Sequence, residues 1–567
     1  VIGGGVEAPP LTCTAEEHKA MQHVHCEVLV IGGGAAAMRA AIAAHDAGAQ
    51  VCIVSKQTPG YSGNTVIARS GHSAPFTAED TPRDFFEDIL TGGEGVNHQP
   101  IVRALSAEGC ERIEELVAWG VPFLTRSGHI ETQPSAGHRY PRGCYTVKNI
   151  ATEVARPIRA QVDRRAITVL DHIMLHAPLV DNGRCWGALG LHRGHGEPYM
   201  VHAAATIIAT GGGAEVYAQT TNVTGVTGDG LAMALRAGVE LVDMEFVQYY
   251  PVALRWPVTR LLASPTLFPL GAKLYNRFGE RFMATLPQGT ENVTRDIRSR
   301  AIYGEIAAGR GVNDDAVLLS LADIAEADFR RYAPDMAHIA AMKGLDYRTA
   351  RFLVRPEAHF FCGGIRTDAF GATTLPGFYA IGEAAGGCHG ANRLANNAFT
   401  ECYVFGKRAG EHAVAYSQSL SSRTPVPTAL GRESLHRLEH RTQHASGTQE
   451  QQEVRKALRQ CMWDGVGVRR QAKTLEAALD TILTLADQAR ACHGDRPATI
   501  VRCLELDNLI ITAEAIARAA LFRQESRGTH YREDCPERDD ATWQCNVLVR
   551  QAADGTLQVH KAPIVTV

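Results

Sequence analysis

The run Glu27-Val-Leu-Val-Ile31-Gly32-Gly33-Gly34-Ala35-Ala36-Ala37 confines the start of this chain to one kind of structure: an apolar strand that breaks at glycines into an alanine-rich helix. Gly32 permits the sharp turn and Gly34 lets the backbone approach a pyrophosphate. Ala37, small like the usual third glycine, lets the helix lie close against the strand. The helix N-terminus then faces the anion. A glycine-rich turn without a ligand fits the same pattern, but the context favours a phosphate cradle. Ala35 to Gly48 reads as one helix closed by a glycine, and Val51-Cys-Ile-Val54 follows as a second strand, so a βαβ unit is expected. Ser55 stands where a simple NAD fingerprint has a ribose-binding acid, which argues against free NAD and for a different dinucleotide or ribose contact.

With 567 residues and 45% hydrophobic content, the chain exceeds one core, and about three structural units are expected. A net charge of −4 gives no general reason to expect nucleic acid or an anionic membrane as a partner. Fourteen cysteines are scattered with no Cys-x-x-Cys, so no zinc ribbon or iron–sulfur cluster is expected within the chain, and free thiols in a reducing cytoplasm are. No apolar run reaches the roughly 18 residues of a membrane span, and the first residues lack a basic-then-apolar export pattern. No metal ligand is assigned: His23 and His25 are read as solvated residues of a loose N-terminal tail, 1–25.

Glycine punctuation recurs. Ala204 to Gly213 reads as a buried strand meeting Gly211-Gly212-Gly213, and Thr227-Gly228-Asp229-Gly230 precedes a small-residue helix in which Asp229 also fits an N-cap. From 245 to 354 the closely spaced Pro251, Pro257, Pro265 and Pro269 indicate an inserted lobe. Phe378-Tyr-Ala-Ile-Gly382-Glu383 returns to the strand-then-turn pattern. Beyond Thr424 the chain is read as helical to about 525, with Val454–Met462 and Leu475–Ala491 carrying apolar residues at helical spacing.

In order, these pieces resemble the flavoprotein family of fumarate reductase, succinate dehydrogenase and L-aspartate oxidase, from about Cys26 to Leu548. The most specific segments are Thr227-Gly-Asp-Gly230, Met244-Glu-Phe-Val-Gln-Tyr249, Gly279-Glu-Arg-Phe-Met283, Arg295-Asp296, His389-Gly-Ala-Asn-Arg393-Leu394 and Glu525 to Asp534. The resemblance implies an α/β chain: a Rossmann-like FAD-binding domain (26–244 and 355–423), an inserted α+β capping domain (245–354) and a C-terminal helical domain with its tail (424–567). It implies FAD contacts from Gly32, Gly34, Ala37, Ser55, Lys56, Asn64, Thr65, Gly71, Ala209, Thr210, Gly211, Asp229, Glu383, Arg393 and Asn397. A small carboxylate substrate would lie over the flavin between cap and FAD domain. Arg393, with a planar fork suited to a carboxylate, and His359 would clamp it, Tyr250 and Ser264 would touch it, and Arg295 would exchange a proton with the carbon beside the carboxylate. Without the resemblance, His359 reads as a core histidine and Arg295 as a salt-bridged surface residue.

The chain also departs from the family. Gln248-Tyr249-Tyr250-Pro251 has Tyr250 where a histidine would hold the far carboxylate of a four-carbon diacid. At Ser264-Pro265-Thr266-Leu267-Phe268-Pro269-Leu270, Ser264 aligns with the family threonine, Pro265 with the proton-relay glutamate and Phe268 with the relay arginine. The distal half of the pocket is thus expected to be apolar, unless Arg255, Arg260 or Lys273 restores the charge, and fumarate and succinate are expected to be poor substrates. Ser62-Gly63-Asn64-Thr65 lacks the histidine that carries covalent flavin, and His72 lies beyond the matching position, so FAD is expected to be non-covalent. The leading expectation is a cytoplasmic FAD-dependent oxidoreductase acting on a C–C or C–N bond next to a carboxylate. The alternatives are an L-aspartate-oxidase-like enzyme reoxidised by O2, and an electron-transfer subunit docking an iron–sulfur partner.

Overall fold

A computed structural model describes residues 21–259, 261–420 and 448–567. The strand Gln22–Ile31 and the helix Ala35–Asp46 form where the glycine punctuation places them, and Val51–Val54 completes the βαβ start. The first strand lies inside a seven-stranded sheet. Its order is Thr168–Leu170, Val51–Val54, Gln22–Ile31, Pro198–Ile208, Arg184–His192 and Ile173–Asp181, with Phe378–Ala380 pairing the end of Pro198–Ile208. The strands that meet at the glycine turn are parallel, so their carboxyl ends converge on one edge, where α/β sheets bind nucleotides. The strand starts at residue 22, so His23 and His25 are not in a loose tail. Their rings stack on His202 across the sheet, at centroid distances of 5.3 and 4.6 Å.

The inserted segment is more regular than its prolines indicate. Val247–Trp256, Arg351–Phe361, Val317–Ser320 and Lys273–Tyr275 form an antiparallel sheet over a core of its own, including Leu254, Leu274, Ile302, Val317 and Phe352. Pro251 lies in the strand Val247–Trp256 at a register shift between Tyr250 and Ala253, where the ladder is already interrupted and asks for no N–H. Arg351–Phe361 runs unbroken across residue 354, so the lobe hands its chain back to the FAD domain along one continuous strand.

Helices Thr448–Gly465, Ala472–Ala491 and Pro497–Phe522 follow the apolar spacing read in the sequence. They share one buried core with the main sheet, in which Leu29, Cys185 and Val201 meet Leu458, Ile482 and Ile516. The expected boundary at 424 lies outside the described residues. The tail strands Asn546–Gln551 and Leu557–Ala562 extend a small sheet through Leu241–Val242 and so bind the C-terminus to the entrance of the lobe. Among the described residues no helix is long and apolar enough to cross a membrane.

Candidate active site

At the carboxyl edge of the main sheet, Gly32 has φ +135°, and a Cβ there would run into the carbonyl of Ala209. Only glycine lets these strand ends pass so closely. Ala35 N–H donates to Thr65 Oγ1 (3.1 Å), tying the turn to the short helix Asn64–Ile67, and the Ala35 helix has no side-chain N-cap, leaving donors for an anion. Thr210 Oγ1 accepts from Gly230 N (3.2 Å), and Ser55 is buried beside the Gly33 backbone. Asn397, fully buried at the start of helix Asn397–Ser419, has no partner for either amide atom, and the Arg393 Nε is likewise orphaned. Such groups are costly to bury unsatisfied, and a bound flavin dinucleotide fits them. Glu383 accepts from Phe361 N (3.1 Å), and burial raises its pKa to about 7.

Lys56 and Asp229 have another commitment. Lys56 Nζ binds Asp229 (2.7 Å), Glu505 (2.9 Å), Thr227 Oγ1 (3.0 Å) and the Gly225 carbonyl (2.8 Å). Asp229 also accepts from Thr227 and Asn508. The N-cap position belongs to Gly228, so the aspartate serves this buried network, which joins the FAD domain to the C-terminal helix Pro497–Phe522.

From the cradle a cavity of about 1320 Å³ opens between the FAD domain, the lobe and the 124–149 loop. Asn64, Thr65, Gly71, Tyr250, Ser264, Arg295, His359, Glu383 and Arg393 all line it. Its walls also carry Arg69, Lys148, Arg298, Arg330 and Arg331, against Glu131 and Glu383 as the carboxylates among the described lining residues. Glu131 is taken by Arg331 (3.0 Å). Arg330 and Arg69 have acids of their own outside the lining, Glu326 (2.7 Å) and Asp335 (3.9 Å), so the excess positive charge that suits an anion lies with Lys148, Arg295, Arg298 and Arg393.

At its centre Gln248 Oε1 accepts from Arg295 Nη1 (2.8 Å) and Arg393 Nη2 (3.1 Å). The Gln248 amide cannot turn around, because its Nε2 donates to Asn392 Oδ1 and to the Arg393 carbonyl, both at 2.8 Å. Two guanidiniums thus converge on one neutral oxygen. Arg393 stacks 4.4 Å from the Phe360 ring, and burial with the nearby Arg295 charge lowers its pKa to about 9. Burial also lowers the pKa of Arg295, which opens helix Arg295–Ala307. His359 Nδ1 lies 2.8 Å from Thr221 Oγ1, and burial, then Arg295 and Arg393, push its pKa well below the usual value, so the imidazole is neutral.

Several expectations change here. The Tyr250 hydroxyl donates to the Ala263 carbonyl (2.6 Å), so its proton is already used and its ring serves as a platform 5.3 Å from Arg295. Arg255 and Lys273, each partly exposed, pair with Asp315 (2.8 Å) and Asp323 (2.5 Å) and do not line the cavity; Arg260 lies outside the described residues. Pro265 lines the cavity, but Phe268 and Leu270 do not, so they form no apolar distal wall. Phe268 lies 3.8 Å beneath the guanidinium of Arg298, a pocket arginine that the motif reading passed over. It stands one helical turn after Arg295, a spacing that places both on one face. His72 is sealed among Phe123, Phe399 and Tyr403 and stays away from the cavity, whereas Asn64 reaches it. Cys388, His389 and Glu401 form a buried group with metal-ligand chemistry, in which His389 Nε2 lies 2.9 Å from Glu401. The Cys388 thiol is raised well above its usual pKa by burial, which keeps it protonated.

Comparison with known proteins agrees with this architecture. Residues 27–398 match the family described as FAD binding domain, and 455–567 match fumarate reductase flavoprotein C-term. The chain is 36% identical over 536 residues to a fumarate reductase (CoM/CoB) subunit of Methanothermobacter marburgensis, covering 93% of this chain and 97% of that protein. It is 34% identical to L-aspartate oxidase of Streptomyces coelicolor, over 95% and 93% of the two chains. The E. coli quinol fumarate reductase FrdA superposes with a TM-score of 0.89 at 28% identity, covering 96% and 98%. The cradle, the capped cavity and these matches together make the chain an FAD-dependent oxidoreductase of the family that contains fumarate reductase flavoproteins and L-aspartate oxidase.

Proposed function

We propose that this chain reduces or oxidises a bond next to a carboxylate, by hydride exchange with non-covalent FAD and proton exchange with Arg295. The observation that carries this reading is the pair Arg295 and Arg393, which share the Gln248 oxygen and form no ion pair among the described residues. A buried Arg393 and a half-buried Arg295, held by one neutral acceptor with no described carboxylate in contact, leave a positive site that a carboxylate neutralises. FAD, when bound, supplies the two-electron hydride chemistry. Arg393, with its planar fork, and the neutral His359 grip and orient the carboxylate. Arg295, at a helix N-terminus where the macrodipole opposes positive charge, gives up or recovers a proton more easily than an arginine in water.

The L-aspartate oxidase relative raises an amino-acid substrate as the other outcome. An ammonium group would meet a cationic wall, since Glu131 is paired with Arg331 and Glu383 lies deep against the Phe361 backbone. Relatives named as subunits support a partner chain as electron carrier, which the resemblance would make an iron–sulfur protein. Asn64, fixed by Asn222 (2.7 Å) and by the Val223 N–H (3.1 Å), stands in the cavity where a covalent flavin would need histidine, which supports a flavin released by acid. Anaerobic, photoreduced protein should be reoxidised by an α,β-unsaturated carboxylate. Reoxidation by no such acid, with hydrogen peroxide formed from an amino acid in air, would replace this reading by the oxidase.

A further inference from the structure

We infer that Arg298 is a second anion receptor of the cavity, so that the preferred substrate carries a negative group at the end remote from the carboxylate gripped by Arg393. This rests on the function proposed above and assigns a specificity-determining residue to it.

Arg298 is 3% exposed, yet it lines the cavity. Its Nε and Nη2 donate to the Glu291 carbonyl (3.1 and 2.5 Å), Nη2 also to the Val293 carbonyl (2.9 Å), and its plane lies 3.8 Å from the Phe268 ring. Those contacts fix the guanidinium. They do not neutralise it, because backbone carbonyls carry only partial charge, and Nη1 donates to no described residue. The acids nearest in sequence are already engaged: the Glu291 carboxylate pairs with Arg281 (2.5 Å), and Asp296 with Arg300 (3.1 Å). A rigid, buried, uncompensated cation facing a cavity is costly unless a ligand completes it. Burial lowers its pKa only to about 10, so it keeps its charge at neutral pH.

The position suits the far end of a substrate. Arg295 and Arg298 are one turn apart on the same helix, and the Tyr250 hydroxyl, raised in pKa by burial, feels Arg295, Arg69 and Arg298 together. The distal cation therefore comes from the helix that carries the proton-exchanging arginine. The resemblance would have drawn the far-end group from a histidine at the Tyr250 position, and Phe268, at the relay-arginine position, is instead the surface on which Arg298 rests.

The test compares fumarate with its monomethyl ester as oxidants of the reduced holoenzyme, and isothermal titration of succinate with that of butyrate. Wild type is expected to prefer each diacid. In Arg298→Met that preference should collapse by about 100-fold, and Arg298→Lys should restore part of it. An Arg298→Met variant that loses diacid and monoester equally, with the preference kept, would make Arg298 structural and overturn the inference while the proposed function stands. Reoxidation of wild type by an unsaturated monocarboxylate such as crotonate but by neither of these compounds would overturn the inference and leave the proposed function standing, whereas reoxidation by no unsaturated acid would overturn both. A folded, flavin-loaded Arg298→Met that binds succinate like wild type overturns the receptor outright.

Discussion

An arginine is a poor acid in water, and Arg295 is suited to proton exchange only because of where the fold places it. It begins a helix, sits half-buried where desolvation lowers its pKa, and donates to the neutral Gln248 instead of a carboxylate. Arg295→Lys keeps the charge but loses the planar fork, and should lower kcat by about 10²–10⁴-fold with a smaller change in KM. Stopped-flow reoxidation of the bound flavin checks this; near-wild-type turnover would return Arg295 to a structural role. That Arg295, His359 and Arg393 come together was legible only through the resemblance, whose motifs carry them, and the fold does bring all three to one cavity. Arg298 and the roles of Gln248 and Tyr250 were not legible. Whether a guanidinium meets a carboxylate, or a tyrosine proton meets the Ala263 carbonyl, depends on chain brought in from elsewhere in the lobe.

Among the elements, the strand–turn–helix of residues 22–46 was legible because glycine there is a steric requirement. Gly32→Ala would combine a positive φ, strained by about 1–3 kcal/mol for a side chain, with a collision against the Ala209 carbonyl. Protein so altered is expected to lose stability by at least that strain and to purify with little flavin. An absorbance ratio at the flavin and protein bands like that of wild type would show that the turn relaxes. The lobe was harder to read. Its prolines mark breaks in any local reading, but Pro251 sits at a register shift inside a strand, and the strands pair across long sequence separations: Lys273–Tyr275 meets Val317–Ser320, which meets Arg351–Phe361. Such pairing leaves no local signature.

At the scale of the whole molecule, one buried cation holds together parts distant in sequence. Arg523, just beyond helix Pro497–Phe522, donates to Glu245 (2.6 Å) at the entrance of the lobe, to Glu525 (2.9 Å) and to the carbonyls of Trp543 (3.0 Å) and Cys545 (2.9 Å). It also lies 3.8 Å from Asp243, which accepts from Asn546 and Val547 of the tail sheet. Arg523, Glu245 and Glu525 are fully buried; Arg523→Met leaves Glu245 without its ion-pair partner, while Glu525 keeps Arg527, and should cost about 3–5 kcal/mol at neutral pH. The pH dependence follows from Asp243, whose pKa burial and Glu245 raise to about 7 despite Arg523. The folded chain therefore holds this proton after the unfolded chain has released it. The stability it contributes is complete below the ordinary aspartate range and is lost as pH rises toward about 7. Without Arg523, Asp243 and Glu245 hold their protons higher still, so the variant should lose more stability than wild type as pH rises. Urea midpoints of flavin-saturated wild type and Arg523→Met should lie closer at about pH 5 than at about pH 8. A gap independent of pH would mean that these acids find another counter-charge when Arg523 is gone, and that the joint between lobe, helices and tail is held by packing.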